Sequence, residues 1–368
     1  MNDSFISDLC ERVRGAASRK ERLRIRGGGT KDFYGAAVEG EIVDIAPYAG
    51  IVAYEPKELV LTVRAGTRLA EVEAALAGER QMLPFEPPHF GTPAPADASL
   101  PRDPPDMPQS RATIGGVVAA GLSGPRRPYA GSVRDFVLGT RIVNGKGEDL
   151  SFGGRVIKNV AGYDISRLMT GALGTLGVIT EISFKVLPRP VAETTLVYEL
   201  DEGAAIEQAN LWAGQPLPLS ATAWQDGTLR VRLSGAATAV AAAKVKMGGH
   251  EIDAGDYWRD LREHRLAFFS RAPLWRVSVP QTTDPVMPSH PQLVEWGGGV
   301  RWIAGEVDAL TLRSTVERAG GHATLFRGGD KAIGVFHPLK PALAKIHRRL
   351  KDAFDPAGIL NAGRMYDF

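Results

Sequence analysis

The chain has 368 residues, with 44 Lys plus Arg against 42 Asp plus Glu and a formal net charge of +2, so it is long enough for two or three domains of about 150 residues each and lacks the basic stripe of a dedicated nucleic-acid binder. Its single cysteine, Cys10, excludes an internal disulfide and any zinc or iron–sulfur site made of this chain's cysteines alone, and fits a reducing cytosol. No apolar stretch approaches the roughly 20 residues of a membrane helix, and the opening MNDSFISDLCERV lacks the apolar region of a secretion signal, so a cytoplasmic protein is expected.

In chain order, the short runs Arg22–Arg26, Ile42–Ile45, Ile51–Tyr54 and Leu59–Arg64 read as strands, being rich in aliphatic and β-branched residues between turn signals. Thr67 is expected to cap a helix whose apolar positions are Leu69, Val72 and Leu76 and whose stop is Gly78. From Pro84 to Pro108, nine of 25 residues are proline, and the surrounding stretch 84–112 predicts an extended surface loop without helix or sheet. Strands follow at Val137–Val143 and Val178–Leu187, the second ended by Pro188 and Pro190, which mark a domain boundary.

Beyond Pro190 the order is strand (Thr194–Leu200), helix (Glu202–Ala213), a hairpin of Ser220–Gln225 and Thr228–Leu233 around Asp226-Gly227, and helix (Ala236–Met247). Strands near Leu274–Val279 and Val300–Ala304 and a helix near Asp308–Ala319 continue the pattern to about Pro338. Such alternation predicts an antiparallel sheet covered by helices, an α+β arrangement. Lys340–Phe354 places Leu343, Ile346, Leu350 and Phe354 on one helical face.

Glycine is the compositional excess: 23 of the 42 glycines fall between Gly27 and Gly177. Three clusters stand out. Arg26-Gly27-Gly28-Gly29-Thr30 follows a strand directly, and successive glycines let backbone N–H groups converge on an anion, with Arg26 adding charge; the alternative is a plain tight turn. Neither a Walker A loop nor G-x-G-x-x-G is present. Thr113 to Gly124 carries only small, aliphatic or hydroxyl side chains besides Pro-free backbone, fit for a long contact line or for a closely packed helix, and Gly171 to Thr180 turns into a strand behind the polar run Lys158 to Asp164.

Five segments in this order, RGGGTKDFYG, ATIGGVVAAGLSGP, PYAGSVRDFVLG, KNVAGYDISRLMTGALGTLGVIT and FDPAGILNAGRM, resemble the PCMH-type (vanillyl-alcohol-oxidase-like) FAD-binding family, and more closely the FAD-binding E-type subunits of bacterial glycolate oxidases. The resemblance implies a two-part FAD-binding domain over residues 1–190, a cap or substrate domain over 191–338, and a C-terminal segment 339–368 that returns to the FAD domain. It implies FAD contacts from Arg26, Gly27, Gly28, Gly29 and Thr30 around the diphosphate, then Thr113, Gly115 and Gly116, then Gly131, Ser132 and Asp135, and finally Gly174, Gly177, Ile179 and Asn361. No His or Cys occupies the loop positions where covalent members attach the flavin, so dissociable FAD is expected. The family's H-x-G-D-G-N-x-H metal motif has no counterpart with that spacing in FRGGDKAIGVFHP, so no catalytic metal is expected.

Oxidation of a 2-hydroxyacid needs a cation for the carboxylate and a base for the hydroxyl proton. Arg276, Arg301 and Arg327 are the candidate cations, with His322 and His337 as bases, although ion pairs and structural roles compete for each. Trp275, Trp296 and Trp302 wall a pocket or pack a core. The implied function is the FAD-binding subunit of a glycolate-oxidising complex, with a second flavin subunit (D-type) and an iron–sulfur subunit (F-type) as partners, placed in the cytoplasm or peripherally at the inner membrane through those partners. A self-sufficient flavin oxidase of a hydroxyacid, polyol or sugar lactone and a non-catalytic flavin-bound assembly subunit are the alternatives.

Overall fold

A computed structural model describes residues 2–91, 110–154 and 164–368. Most of the proline-rich stretch and the run Lys158–Tyr163 lie outside the described residues. The architecture is α+β with antiparallel principal sheets. A five-stranded sheet takes the spatial order Ile51–Glu55, Val60–Arg64, Val178–Lys185, Val137–Val143, Asp149–Gly153. Its middle strand, Val178–Lys185, is buried along nearly its whole length, which fits its run of Val, Ile and Phe. An eight-stranded sheet orders His250–Ile252, Ala192–Glu199, Thr228–Gly235, Leu219–Gln225, Gln292–Glu295, Val300–Ala304, Leu274–Ser278 and His322–Arg327. Among the described residues no strand of the first sheet follows Lys185 and none of the second precedes Ala192.

The second sheet carries helices on one face. Glu202–Ala213 is capped by Asp201, whose side chain accepts from Ala204 N, and buries Ala205, Ile206, Ala209 and Trp212. Ala309–Arg318 is capped likewise by Asp308 and buries Leu312 and Val316 against Val277 and Ile303. Asp226 and Gly227, at φ 49° and 80°, close the hairpin as two successive positive-φ residues.

Two expectations need correction. The helix Leu69–Gly78 starts after Arg68 with no side-chain cap, because the Thr67 hydroxyl is already engaged, donating to Arg64 O at 2.7 Å and accepting from Gly50 N at 2.9 Å. The apolar face of Pro341–Phe354 is only half used: Leu350 and Phe354 pack on the core of the first half, whereas Leu343 and Ile346 are 48% and 52% exposed. The N-terminal helix Asn2–Arg19 escaped sequence reading; it buries Ile6, Leu9, Cys10, Val13 and Ala16.

The chain's end returns to its beginning. Leu23 donates its N–H to Ile359 O (2.8 Å) and accepts from Asn361 N (3.0 Å), so residues 359–361 run alongside the two-stranded parallel pair Leu23–Arg26 and Glu41–Asp44. Buried Lys351 and Asp355 lock this return: the ammonium meets Asp355 Oδ2 at 2.6 Å and the carbonyls of Thr175 and Leu360 at 2.8 and 2.9 Å. The two halves are joined by ionic contacts. Glu86 receives Arg232 at 2.8 Å and Arg126 at 3.2 Å, and Glu263 accepts from the backbone N–H groups of His89 and Phe90.

Candidate functional site: a glycine-lined cleft beside an aromatic cavity

The loop 27–30, the helix Ile114–Ala120, the turn Leu173–Gly177 and the returning Asn361 and Arg364 converge on one cleft. Of the residues expected at a cofactor, Arg26, Gly27, Gly28, Gly29, Thr30, Thr113, Gly115, Gly116, Gly174, Gly177, Ile179 and Asn361 all border it. The glycines there serve two different ends. A Cβ on Gly28 would fall inside the Arg111 carbonyl group, and one on Gly27 would collide with Thr113 Oγ1. These two are thus required by the interlocking of loop 27–30 with residues 111–113. Gly116 is different: a Cβ there meets only Thr113 Oγ1, at 3.3 Å, and otherwise faces the opening.

Thr113 caps the helix, accepting from Gly116 N at 3.3 Å, and so aims the helix N-terminus at the cleft. Asn361, nearly fully buried, bridges the walls by accepting from Ile25 N at 2.8 Å and donating to Leu173 O at 2.7 Å. The backbone N–H groups of Gly28, Gly29 and Thr30 find no acceptor among the described residues. Three cations stand beside them. Arg26 is steadied by Asp32 at 2.8 Å. Burial draws Lys31 down to about 8. Arg364, also pulled down by burial, donates to Tyr34 O at 2.8 Å. Free backbone donors flanked by cations fit a diphosphate. Lys31 and Arg364 were missed by sequence reasoning, although both lie inside the quoted segments RGGGTKDFYG and FDPAGILNAGRM. Among the described residues no histidine or cysteine borders the cleft.

Gly131, Ser132 and Asp135 are not among the lining residues. Asp135 Oδ2 accepts from both Ser132 N and Ser132 Oγ at 2.7 Å, a capping box opening the short helix Val133–Phe136. The helix in turn donates from Val133 N to Ser123 Oγ at 3.2 Å, which steadies the loop after Ala120.

That loop, Leu122 to Gly124, forms one wall of a second, small cavity, whose other walls include Phe90, His264, Trp296, Trp302 and Phe326. Of the expected catalytic residues only Arg276 reaches it. Arg301 is fully buried on the opposite side of its sheet, donating to the carbonyls of Gly298, Asp284 and Thr283. Arg327 is tied to Phe269 O at 2.5 Å, and His337 Nδ1 accepts from Ala323 N at 3.4 Å, so both hold the fold. His322 is exposed and off the cavity. Trp296 and Trp302 wall the cavity, whereas Trp275 packs in the core beneath helix Ala309–Arg318. Among the described residues no group of three or more His, Cys, Asp or Glu is placed to hold a metal ion, and no helix is long and apolar enough to cross a membrane.

Glu295 borders the same cavity and was not singled out from sequence. Its Oε2 accepts from Trp302 Nε1 at 2.7 Å, and burial, only partly offset by Trp302 and Arg276, pushes its carboxyl up to about 7. A carboxyl raised in the folded state favours folding below the unfolded value and loses that advantage as pH rises through about 7. Glu295→Gln should therefore remove about 2–3 kcal/mol of the pH-dependent loss between pH 5 and 8. Urea midpoints at both pH values check this; parallel pH profiles for the variant and the parent would contradict it.

The FAD binding domain family matches residues 6–93. The glycolate oxidase subunit GlcE of Escherichia coli K12 is 46% identical over 359 residues, covering 97% of this chain and 96% of that protein. The glycolate oxidase subunit GlcD of Bacillus subtilis is 37% identical over 133 residues, 36% of this chain and 28% of that one. Among solved structures, alkyldihydroxyacetonephosphate synthase superposes with a TM-score of 0.62 over 96% of this chain and 75% of that one at 15% identity, a likeness of fold. Near-complete coverage at this identity settles the lineage: the chain carries an FAD binding domain and belongs to the family of the glycolate oxidase subunit GlcE.

Proposed function

We propose that the chain is the FAD-binding subunit of a complex that oxidises glycolate or a near 2-hydroxyacid and passes electrons toward an iron–sulfur partner, with a second flavin subunit of the D type completing the assembly. The observation that carries this reading is the convergence of three side-chain-poor segments and a returning Asn361 on one cleft with free backbone donors, in a chain similar over nearly its full length to a glycolate oxidase subunit. FAD, when bound, supplies the hydride acceptor for oxidation of the hydroxyl-bearing carbon. The chain's own residues bind and orient it. Gly28, Gly29 and Thr30 offer backbone N–H groups to the diphosphate, Arg26, Lys31 and Arg364 balance its charge, and Gly116 keeps the wall low enough for close approach, while Gly174 makes room for the Asn361 amide.

In this reading binding is dissociable, since the diphosphate loop 26–30 carries no histidine or cysteine to form a bond to the flavin. The onward one-electron path requires a partner, because one buried cysteine cannot hold a cluster, and attachment to the inner membrane runs through such partners.

The test is anaerobic addition of glycolate to the purified, FAD-loaded chain with and without its partner subunits, followed by the visible flavin bands. Bleaching in the assembled complex, and release of free FAD on acid denaturation, are expected. A chain that takes up no FAD, or a complex whose flavin stays oxidised with glycolate, overturns the reading.

A further inference from the structure

We propose that a groove under the C-terminal helix is the seat of a partner subunit, filled by an amphipathic helix that is apolar on one face and acidic along its flanks. That this partner is the electron-accepting iron–sulfur subunit rests on the function proposed above. The seat itself rests on the groove and its charge.

The groove has a volume of about 170 Å³ and is lined chiefly by Leu176, His347, Leu350, Met365, Tyr366 and Phe368. An apolar cavity of about 150 Å³ takes benzene, so a side chain the size of leucine or phenylalanine fits. The apolar stripe of helix Pro341–Phe354 runs on past the groove. Leu350 and Phe354 pack on the core, and Leu343 and Ile346, one and two turns earlier on the same face, are 48% and 52% exposed. These two therefore turn toward the protein, yet half their surface stays open. Apolar residues that overhang a recess suit a protein side chain inserted beneath them, as when a helix lies in a groove, whereas a bilayer meets an outward face. Thr170 Oγ1, at the groove's edge, is buried with no hydrogen-bond partner among the described residues, which leaves one polar anchor for the incoming chain.

Charge selects the partner. The exposed cations of this helix, Lys345, Arg348 and Arg349, outnumber its single acid, Asp352. Lys345 and Arg349 meet no carboxylate among the described residues, and Arg348 lies over the Phe368 ring at 5.1 Å. Lys340, just ahead of the helix, has only Glu317 at 3.7 Å. A basic rim beside an apolar strip is complementary to an acidic amphipathic segment. Position supplies the reason for an electron acceptor. Ala172, Thr175 and Leu176 border the groove, whereas Leu173, Gly174 and Gly177 of the same turn border the cleft. The helix holds that turn directly, through Lys351 Nζ donating to Thr175 O at 2.8 Å. One turn of chain thus separates the groove from the cleft, and a partner seated there stands against the back of the cleft wall.

The test follows assembly of the FAD-loaded chain with co-expressed iron–sulfur and second flavin subunits, by size exclusion and by amide hydrogen exchange. In the parent complex the amides of residues 170–176 and of the C-terminal helix should exchange more slowly than in the chain alone. Leu343→Glu with Ile346→Glu should keep its FAD content and melting temperature yet bind the iron–sulfur subunit at least tenfold more weakly. Lys345→Glu with Arg349→Glu, which also serves if the first variant fails to fold, should weaken binding comparably at about 0.1 M salt. At about 1 M, where the Debye length falls from about 10 to about 3 Å, it should differ little from the parent. Unslowed exchange in the parent complex, unchanged assembly in both variants, or loss of the second flavin subunit alone would each overturn the seat. So would binding of the chain alone to phosphatidylglycerol vesicles, or a dimer of the chain, that Leu343→Glu with Ile346→Glu abolishes. If the parent assembles with neither subunit, the reading as a complex fails, and a short amphipathic peptide of leucine and glutamate judges the groove. Saturable binding of that peptide, lost in the first variant, supports the seat; no binding overturns it.

Discussion

Gly116→Val should yield a folded, colourless protein. Gly116 sits in the first turn of helix Ile114–Ala120 and borders the cleft. Valine is no worse than glycine in a helix, and the one close neighbour of the added Cβ, Thr113 Oγ1 at 3.3 Å, needs to give by only a few tenths of an ångström. The branched methyls then occupy the opening. FAD retention should drop at least tenfold, about 1.4 kcal/mol of binding free energy, with thermal unfolding of the FAD-free protein little changed. The absorbance ratio of the flavin band to the protein band, together with a melting curve, reads both quantities. A yellow Gly116→Val protein would show that the cofactor lies elsewhere. Gly28 is the poorer target, because any side chain there strikes the Arg111 carbonyl and unseats the loop for reasons unrelated to a ligand.

The largest expected loss of stability comes from Asp355→Ala. Asp355 is 1% exposed and receives Ile359 N, Leu360 N and the Lys351 ammonium. Truncation strands two backbone donors and leaves a buried ammonium facing only carbonyls, which costs about 3–5 kcal/mol. The urea midpoint should fall accordingly, and FAD affinity with it, since the same turn carries Asn361 into the cleft. Replacing both members, as in Lys351→Met with Asp355→Leu, should recover much of the stability, because an apolar pair removes the stranded charge. A loss below about 1 kcal/mol for Asp355→Ala would mean that the return is held by packing alone.

The strands were legible where β-branched and aliphatic runs met turn residues, as in Val178–Lys185 and Val300–Ala304. Short strands with charged ends, Gln292–Glu295 and His322–Arg327, carry too little pattern to stand out. The glycine segments announced the cleft because a close backbone approach restricts residue type directly. The charged residues did not sort themselves so. Arg276 and Arg301 sit in similar aromatic and aliphatic surroundings in the sequence, yet register separates them. Arg276 stands opposite Trp302 and faces the cavity, while Arg301 stands opposite Val277, whose face packs under helix Ala309–Arg318. Cross-strand neighbours share a face and successive residues alternate, so one position of register decides which arginine borders the cavity. Glu295 and His264 depend on the same long-range placement.

The returning C-terminal turn also imposes an order on biogenesis. Ile25 waits for a side chain 336 positions downstream before the wall of the cleft closes. A ribosome-bound chain that has already emitted its glycine loop therefore has no finished seat for FAD, and the nascent first half must persist without cofactor while the entire second sheet is translated. Loading is thus a late event, which makes the flavin a marker of chains that have completed synthesis and folding.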